Sequence, residues 1–469
     1  MCECPSGRTD DSLVWRGMEI EMQGSLDYSE RKASCKRRNC VEPFRFLHTA
    51  DLHLGTPFRG LDRKLPPEWH RRLQEASYHV MERIVEVAIR EQVEFVTMAG
   101  DLFDAAVVPM SVQFELRRGF ERLAEHGIHV FVSHGNHDPR RGSAPVHWPD
   151  NVHVFAAAPL LPPSDYAVPA EVFQTRSRST VQVSGFSYGQ AEFRQSLAAH
   201  FVRQPSVDFA IGLYHGAVGS SQGHENYCPA TIDDFRSRGF DLWGLGHIHQ
   251  RSVLSSDGPV IFYPGNPQGR HVREAGVRGV YLVDVDRHRQ AHLHFVPTAS
   301  VVWHICQISA EDAEDLAVIR WRALEVVQQE VRAEVGDAHL VRLKITGTTS
   351  LHSQLFGQEA TLQATLQEDL NAWEPPVWLE SIDVHTQPQA DVEALRHSQE
   401  FIGEVLRRLA RLRAEPERAR EELGSVLTEV FHPGFGLDLK QFSDTELADW
   451  LTATERLLLQ YAEPAEVSS

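Results

Sequence analysis

The sequence is short of cysteine, of long apolar runs and of positive charge. Six cysteines occur in 469 residues, and four of them, Cys2, Cys4, Cys35 and Cys40, lie at the start of the chain. C-x-C followed by C-x4-C is not a standard zinc spacing. Residues 1–43 are therefore expected to form a disordered, solvated leader with reduced thiols, and Met18 or Met22 is an alternative start. No apolar run approaches about 18 residues, which argues against a membrane span. The first residues, Met1-Cys2-Glu3-Cys4-Pro5, contain no apolar stretch of the secretory kind, so the expected compartment is the cytoplasm. Lys and Arg number 46 against 65 Asp and Glu, a net charge of −19. That balance argues against a broad nucleic-acid-binding face. It leaves room for a phosphate-handling site whose charge comes from bound metal ions.

What is present is a globular composition, 42% apolar and 24% charged, in a chain long enough for two or three domains. From Phe44 short apolar runs alternate with helical patterns. Phe44-Arg45-Phe46-Leu47 reads as a strand, and Leu73, Ala76, Val80, Ile84, Val87 and Ala88 recur at helical steps. Val93–Ala99 is a second strand. Val112, Leu116, Phe120 and Leu123 mark a second helix that Gly127 stops, and His129–Val132 is a third strand. Val207–Leu213, Phe240–Leu245 and Val260–Tyr263 continue the series. The pattern predicts an α/β fold over residues 44–300. A small α+β module is expected over 301–388, and a helical region over 389–469. In that last region Ser443 and Glu446 form a capping box and Phe401, Val405, Leu406, Leu409 and Leu412 share a helix face.

Five polar clusters end these runs: Asp51-x-His53, Gly100-Asp101-x-x-Asp104, Gly135-Asn136-His137-Asp138, His215-Gly216 and Gly246-His247-x-His249. Ligands of α/β sheets collect at the carboxyl ends of strands. Carboxylate, imidazole and amide donors suit Mn²⁺, Fe²⁺ or Zn²⁺, and the absence of cysteine among them argues against a closed structural zinc site. One shared aspartate with donors on each side points to two metals, the pair that clamps the attacking and leaving oxygens of a displacement at phosphorus. Each cluster alone is an ordinary surface or satisfied buried feature. With 25 histidines, chance pairs are expected, and His70, His79, His126, His292 and His294 read as such. All five in order, each after an apolar run, form a specific signature.

"FLHTADLHLG", "AGDLFD", "SHGNHD", "GLGHIHQ" and "YPGNPQGRHVREAG" resemble the calcineurin-like metallophosphoesterases, and among them the SbcD-like DNA repair exonucleases of the YhaO type. The likeness is strong over Phe44–Pro297 and weak beyond. It implies a metallophosphoesterase β-sandwich flanked by helices, with a small capping module and a helical tail. It implies one metal at Asp51, His53, Asp101 and His249, and a second at Asp101, Asn136, His215 and His247, with Mn²⁺ preferred. It implies that His137 is catalytic, that Asp104 orients it, and that a metal-activated hydroxide hydrolyses DNA phosphodiesters. Asp138 is read as tying down its loop. The implied partners are DNA and an SbcC-like coiled-coil ATPase, with the chain as a homodimer.

Candidate DNA contacts are Arg59, Arg63, Lys64, Arg71 and Arg72 after the first motif, Arg140 and Arg141 after the third, and Arg270, His271 and Arg273 in the last loop. Against these stand a solvated helix face for Arg71 and Arg72, and a structural His271 held by Glu274. The tail helix either docks the ATPase or packs on its own module. The rival functions are a phosphoesterase acting on small nucleotides or phosphoproteins, and a non-catalytic scaffold for a partner ATPase.

Overall fold

A computed structural model describes residues 41–61, 65–105, 108–140, 146–219, 226–389, 392–397, 401–430 and 443–462. The expected leader up to residue 40, and Arg63, Lys64 and Arg141, lie outside the described residues.

In chain order the strands are β1 (Phe44–Thr49), β2 (Phe95–Ala99), β3 (His129–Ser133), β4 (Val152–Val154), β5 (Ala170–Gln174), β6 (Thr180–Ser184), β7 (Phe209–His215), β8 (Leu242–Gly246), β9 (Ser252–Ser255), β10 (Val260–Tyr263), β11 (Gly279–Val285), β12 (Ala291–Pro297), β13 (Val301–Ser309), β14 (Ala338–Thr349) and β15 (Val377–Pro388). They form a six-stranded sheet in the order β12-β11-β1-β2-β3-β4, a second six-stranded sheet β5-β6-β7-β8-β10-β9, and a three-stranded sheet β13-β14-β15. Strands β1 to β4 are parallel, as are β6, β7, β8 and β10.

Alternation along the strands explains the layering, because successive side chains face opposite sides of a sheet. Phe46, Phe95 and Phe131 of the first sheet share one buried cluster with Phe209, Ile211 and Phe262 of the second, so the two sheets form a sandwich. The Phe46 and Phe95 rings stack at 4.8 Å, and Phe44 meets Phe209 edge-on at 5.6 Å. Their neighbours Leu47, Val96, Met98 and Val130 face the other way, onto helices α1 (Pro67–Arg90) and α2 (Met110–Glu125). The second sheet covers its outer face with Phe201 and with Phe235 of the one-turn helix α3 (Ile232–Arg236).

In the third sheet all strands are parallel, and α4 (Leu316–Ala333), α5 (His352–Leu355) and α6 (Glu359–Leu370) cover it. Trp303, Leu340 and Trp378 pack against Leu65, Trp69 and Leu73, at the start of α1, which joins this sheet to the sandwich. The chain ends in α7 (Val392–His397), α8 (Phe401–Ala414), α9 (Pro416–Val430) and α10 (Asp444–Ala462). The Ser443 capping box is formed: Glu446 N–H donates to Ser443 Oγ at 3.3 Å, and Ser443 N–H to Glu446 Oε2 at 2.7 Å. Leu409 and Leu412 pack against Ala419, Leu447 and Leu451, so most of the apolar face of α8 is covered by its own neighbours. Its arginines pair locally, Arg407 with Glu404, Arg408 with Glu422 and Arg413 with Glu455.

Candidate metal centre

The five polar clusters leave the carboxyl ends of β1, β2, β3, β7 and β8. Three of these strands belong to one sheet and two to the other. They meet because the sandwich brings both sets of strand ends to one edge. His215 at the end of β7 reaches across the sandwich, its Nδ1 2.8 Å from the carbonyl of Ala99, the last residue of β2. Gly100 allows this approach. It has φ of +90°, and a Cβ there would stand 2.1 Å from His215 Nδ1.

Four residues of the clusters carry left-handed backbones that glycine favours: Asp51 (φ 53°), His53 (44°), Asp101 (51°) and His247 (97°). Such conformations cost roughly 1–3 kcal/mol each and persist where surrounding structure imposes them. Here the turns at Asp51, His53 and Asp101 bring side chains into converging groups. Asp51 N–H donates to the Gly100 carbonyl and His53 N–H to that of Asp101, lacing the first loop to the second. His247 N–H lies 3.0 and 3.1 Å from the two Asp51 carboxylate oxygens.

Asp101 Oδ2 lies 3.4 Å from His215 Nε2 and 3.8 Å from His53 Nε2, so one carboxylate oxygen stands between two imidazoles. His215 Nε2 is also 3.0 Å from Asn136 Oδ1. His53 Nε2 faces His249 Nε2 at 3.1 Å. Donor atoms of Asp51, His53 and His249 converge, as do those of Asp51, Asp101 and His215. The ring of His247 stands edge-on to His215 with centroids 5.5 Å apart, beside these groups rather than within them.

These donors fit a cation. Nδ1 of His215 faces a carbonyl and Nδ1 of His249 faces Glu274 Oε1 at 2.5 Å, so in the neutral form of each ring, the form that binds metal, the proton belongs on Nδ1 and the lone pair on Nε2. The His53 and His249 Nε2 atoms, 3.1 Å apart, stand with a carboxylate oxygen of Asp51 in a group close enough to share one ion. The protonation behaviour agrees. Burial alone lowers His215, but Asp101 and Asp51 outweigh it and raise its pKa to about 9. Burial raises Asp101, yet His215, His53 and His137 together hold it well below the usual carboxylate range. The cluster attracts positive charge. His53, also buried, is pushed down to about 4 and presents a neutral ring.

His137 follows Asn136 on the β3 loop, with its side chain 45% exposed at the mouth of the cluster. Its N–H donates to Asp101 Oδ1 at 2.9 Å, and its Nδ1 lies 3.0 Å from Asp104 Oδ1. The same oxygen is 3.0 Å from His53 Nδ1. Asp104 thus sits between a candidate ligand and the candidate catalytic histidine. Asp138 lies behind the loop, accepting from Gly135 N–H at 2.7 Å and Leu102 N–H at 3.0 Å.

The expected substrate contacts divide. Arg59 donates to Asp104 Oδ2 at 2.8 Å, so its guanidinium is already paired at the edge of the site. Arg140 is exposed and donates to the Phe155 carbonyl. His271 Nδ1 accepts from Arg273 N–H and caps a short 3-10 turn. Glu274, expected to hold His271, holds His249 instead. Arg270 is 9% exposed and its Nε has no partner among the described residues. Burial lowers its pKa against the pull of Glu274, Asp104 and Asp51. Arg72 pairs with Glu68 on its own helix. Sequence reasoning does not reach Glu274 or Arg278 as site residues. The only signal there is that Glu274 lies in the "GRHVREAG" stretch and Arg278 two residues beyond it.

Residues 44–251 match the calcineurin-like phosphoesterase family, and residues 303–387 match the middle domain of metallophosphoesterase YhaO. The chain is 34% identical over 410 residues to the uncharacterized metallophosphoesterase YhaO of Bacillus subtilis (strain 168), covering 86% of this chain and 94% of that one. It is 24% identical over 338 residues to the DNA double-strand break repair protein Mre11 of Methanopyrus kandleri, covering 64% and 68%. It is also 24% identical over 267 residues to the SbcD component of the nuclease SbcCD of Bacillus subtilis (strain 168), covering 51% and 66%.

Proposed function

The chain belongs to the calcineurin-like metallophosphoesterase family, and from that premise we propose that it is a DNA nuclease that hydrolyses phosphodiester bonds in DNA repair beside an SbcC-like coiled-coil ATPase. The observation that carries the phosphoester chemistry is the convergence of His53 and His215 on one oxygen of Asp101, with exposed His137 at the mouth. Similarity to the repair protein Mre11 and to the nuclease SbcCD supports DNA as the substrate and the ATPase as partner.

In this reading Asp51, His53, Asp101 and His249 hold one divalent ion, and Asp101, Asn136, His215 and His247 the other, with Mn²⁺ as the preferred metal. Two such ions supply electrophilic charge to the phosphoryl oxygens and a nucleophile usable at neutral pH. His137 hydrogen-bonds the leaving oxygen and returns its proton, a task for which its exposed ring is free to meet substrate. Asp104 orients His137 through Nδ1. Arg270, a buried cation with an unpartnered Nε, anchors a backbone phosphate without reading sequence. Arg59 reaches substrate only by exchanging Asp104 for a phosphate.

The test is a metal screen with linear double-stranded, single-stranded and hairpin DNA, with and without the ATPase. With Mn²⁺, wild type releases nucleotides from DNA, and His137→Ala lowers the rate by about 10²–10⁴-fold while retaining metal. Turnover of cyclic nucleotides or phosphopeptides but not DNA makes the protein a different phosphoesterase. No turnover with intact ATPase binding makes it a scaffold.

A further inference from the structure

The "GHIHQ" motif ends at Gln250, yet what holds its last histidine comes from a turn further along the chain. Glu274 divides its carboxylate between two duties. Oε1 lies 2.5 Å from His249 Nδ1, and Oε2 accepts from the Arg270 N–H at 2.7 Å. The Glu274 carbonyl accepts from Arg278 Nε at 3.0 Å. The same buried guanidinium donates to the His249 carbonyl and, at 3.0 Å, to Asn266 Oδ1. His249 is therefore gripped by ring and by backbone from one turn.

That turn is itself fixed. Gly269 lets it close, since a Cβ there would stand 2.8 Å from the Glu274 carbonyl oxygen. Gln268 staples it to β13: its Oε1 accepts from Ser300 N–H at 2.9 Å and its Nε2 donates to the Val301 carbonyl at 2.7 Å. Gly276 N–H donates to the Trp303 carbonyl at 2.8 Å. The third sheet thus holds the turn, and the turn holds His249.

We propose that Glu274 is a positioning residue whose single carboxylate sets both the His249 ring, with Nε2 aimed into the cluster, and the Arg270 backbone beside it. The inference rests on the reading of His249 as a metal ligand. A ligating imidazole must be held by its other nitrogen, and a carboxylate there fixes tautomer and rotation and raises basicity. Losing such a partner weakens metal affinity by about 10–100-fold. A purely structural ion pair would cost stability and leave affinity alone.

The full-length chain, stripped and titrated with Mn²⁺ in a calorimeter, decides between these. Wild type takes up two ions. Glu274→Ala is expected to weaken one of the two steps by about 10–100-fold and leave the other unchanged. Glu274→Gln keeps an acceptor for the ring and is expected to weaken the same step less. Wild-type affinity for both ions in Glu274→Ala overturns the proposal. If the alanine variant does not fold, the isosteric glutamine decides alone: one weakened step supports the proposal and two wild-type steps overturn it. His249→Ala separates the two levels. Loss of a step there, with Glu274→Ala unaffected, sinks the positioning role and keeps His249 as a ligand. Two intact steps in His249→Ala sink the ligand reading itself.

Discussion

Replacing Gly246 by alanine tests whether the two sheets truly close on the site. The residue ends β8, and a Cβ built there would lie 1.8 Å from the Ala99 carbonyl oxygen and 2.7 Å from His215 Nδ1. A carbon–oxygen contact settles at about 3.3 Å. The ends of β2 and β8 must therefore separate by about 1.5 Å, or the backbone must turn. That carbonyl also receives His215 Nδ1 at 2.8 Å, so the same movement loosens a candidate ligand. Overpacking of this kind costs about 1–3 kcal/mol, with the upper end expected because both neighbours are backbone or buried ring. A displacement near 1 Å costs about 10²-fold in rate. Urea unfolding of the metal-free chain should thus show a loss of about 3 kcal/mol, and hydrolysis of bis(p-nitrophenyl) phosphate a loss of about a hundredfold. Gly127→Ala is the matched control. It adds the same methyl group at φ of +66° with nothing within 4 Å among the described residues, so it should cost about 1–2 kcal/mol from backbone strain and leave the rate unchanged. A Gly246→Ala variant as stable and active as wild type would refute the packing argument.

Three further outcomes follow from the same geometry. Chelation should lower the melting temperature and Mn²⁺ at a hundred times its dissociation constant should restore about 2.7 kcal/mol, read by thermal scans, because the converging donors of Asp51, His53 and His249 exist only in the folded chain. His48, His304 and His339 are held neutral by burial, each with its pKa lowered to about 4. The unfolded chain takes up protons on these rings below about pH 6.5 and the folded chain does not. Stability is therefore complete above that pH and falls toward pH 4 by up to about 1.4 kcal/mol per pH unit per histidine. Urea midpoints across that window check it, and removing one of the three should make the slope shallower. Asp138→Ala strands the buried N–H groups of Gly135 and Leu102, which should cost about 1–3 kcal/mol each in urea melts and misplace Asn136 and His137.

The amino-acid pattern alone carried the strand-helix alternation of residues 44–133, the five polar clusters at strand ends and the strands and helices that follow residue 300. Each is a short-range property. Phe46 and Leu47 declare two buried faces by standing next to each other, and Ser443 with Glu446 declares a helix start within four residues. Strand β5 was not legible, because at the sheet edge it leaves Val172 exposed and buries no side chain fully, and β12 went unread although half-buried Ala291, Leu293 and Phe295 alternate with exposed His292 and His294. Nor could the pattern say that the tail leucines of α8 would cover themselves with α9 and α10 rather than stay open.

The site shows the division most clearly. Sequence by itself named the candidate side chains, since their types and order are written in the chain. Only the tertiary structure decided their mutual aim: the left-handed turns at Asp51, His53, Asp101 and His247, the sharing of Asp104 by His53 and His137, the diversion of Arg59 onto Asp104, and the grip of Glu274 on His249. The reason is distance along the chain. His247 N–H meets the Asp51 carboxylate across 196 residues, and no local periodicity encodes a contact that exists only because two sheets pack face to face.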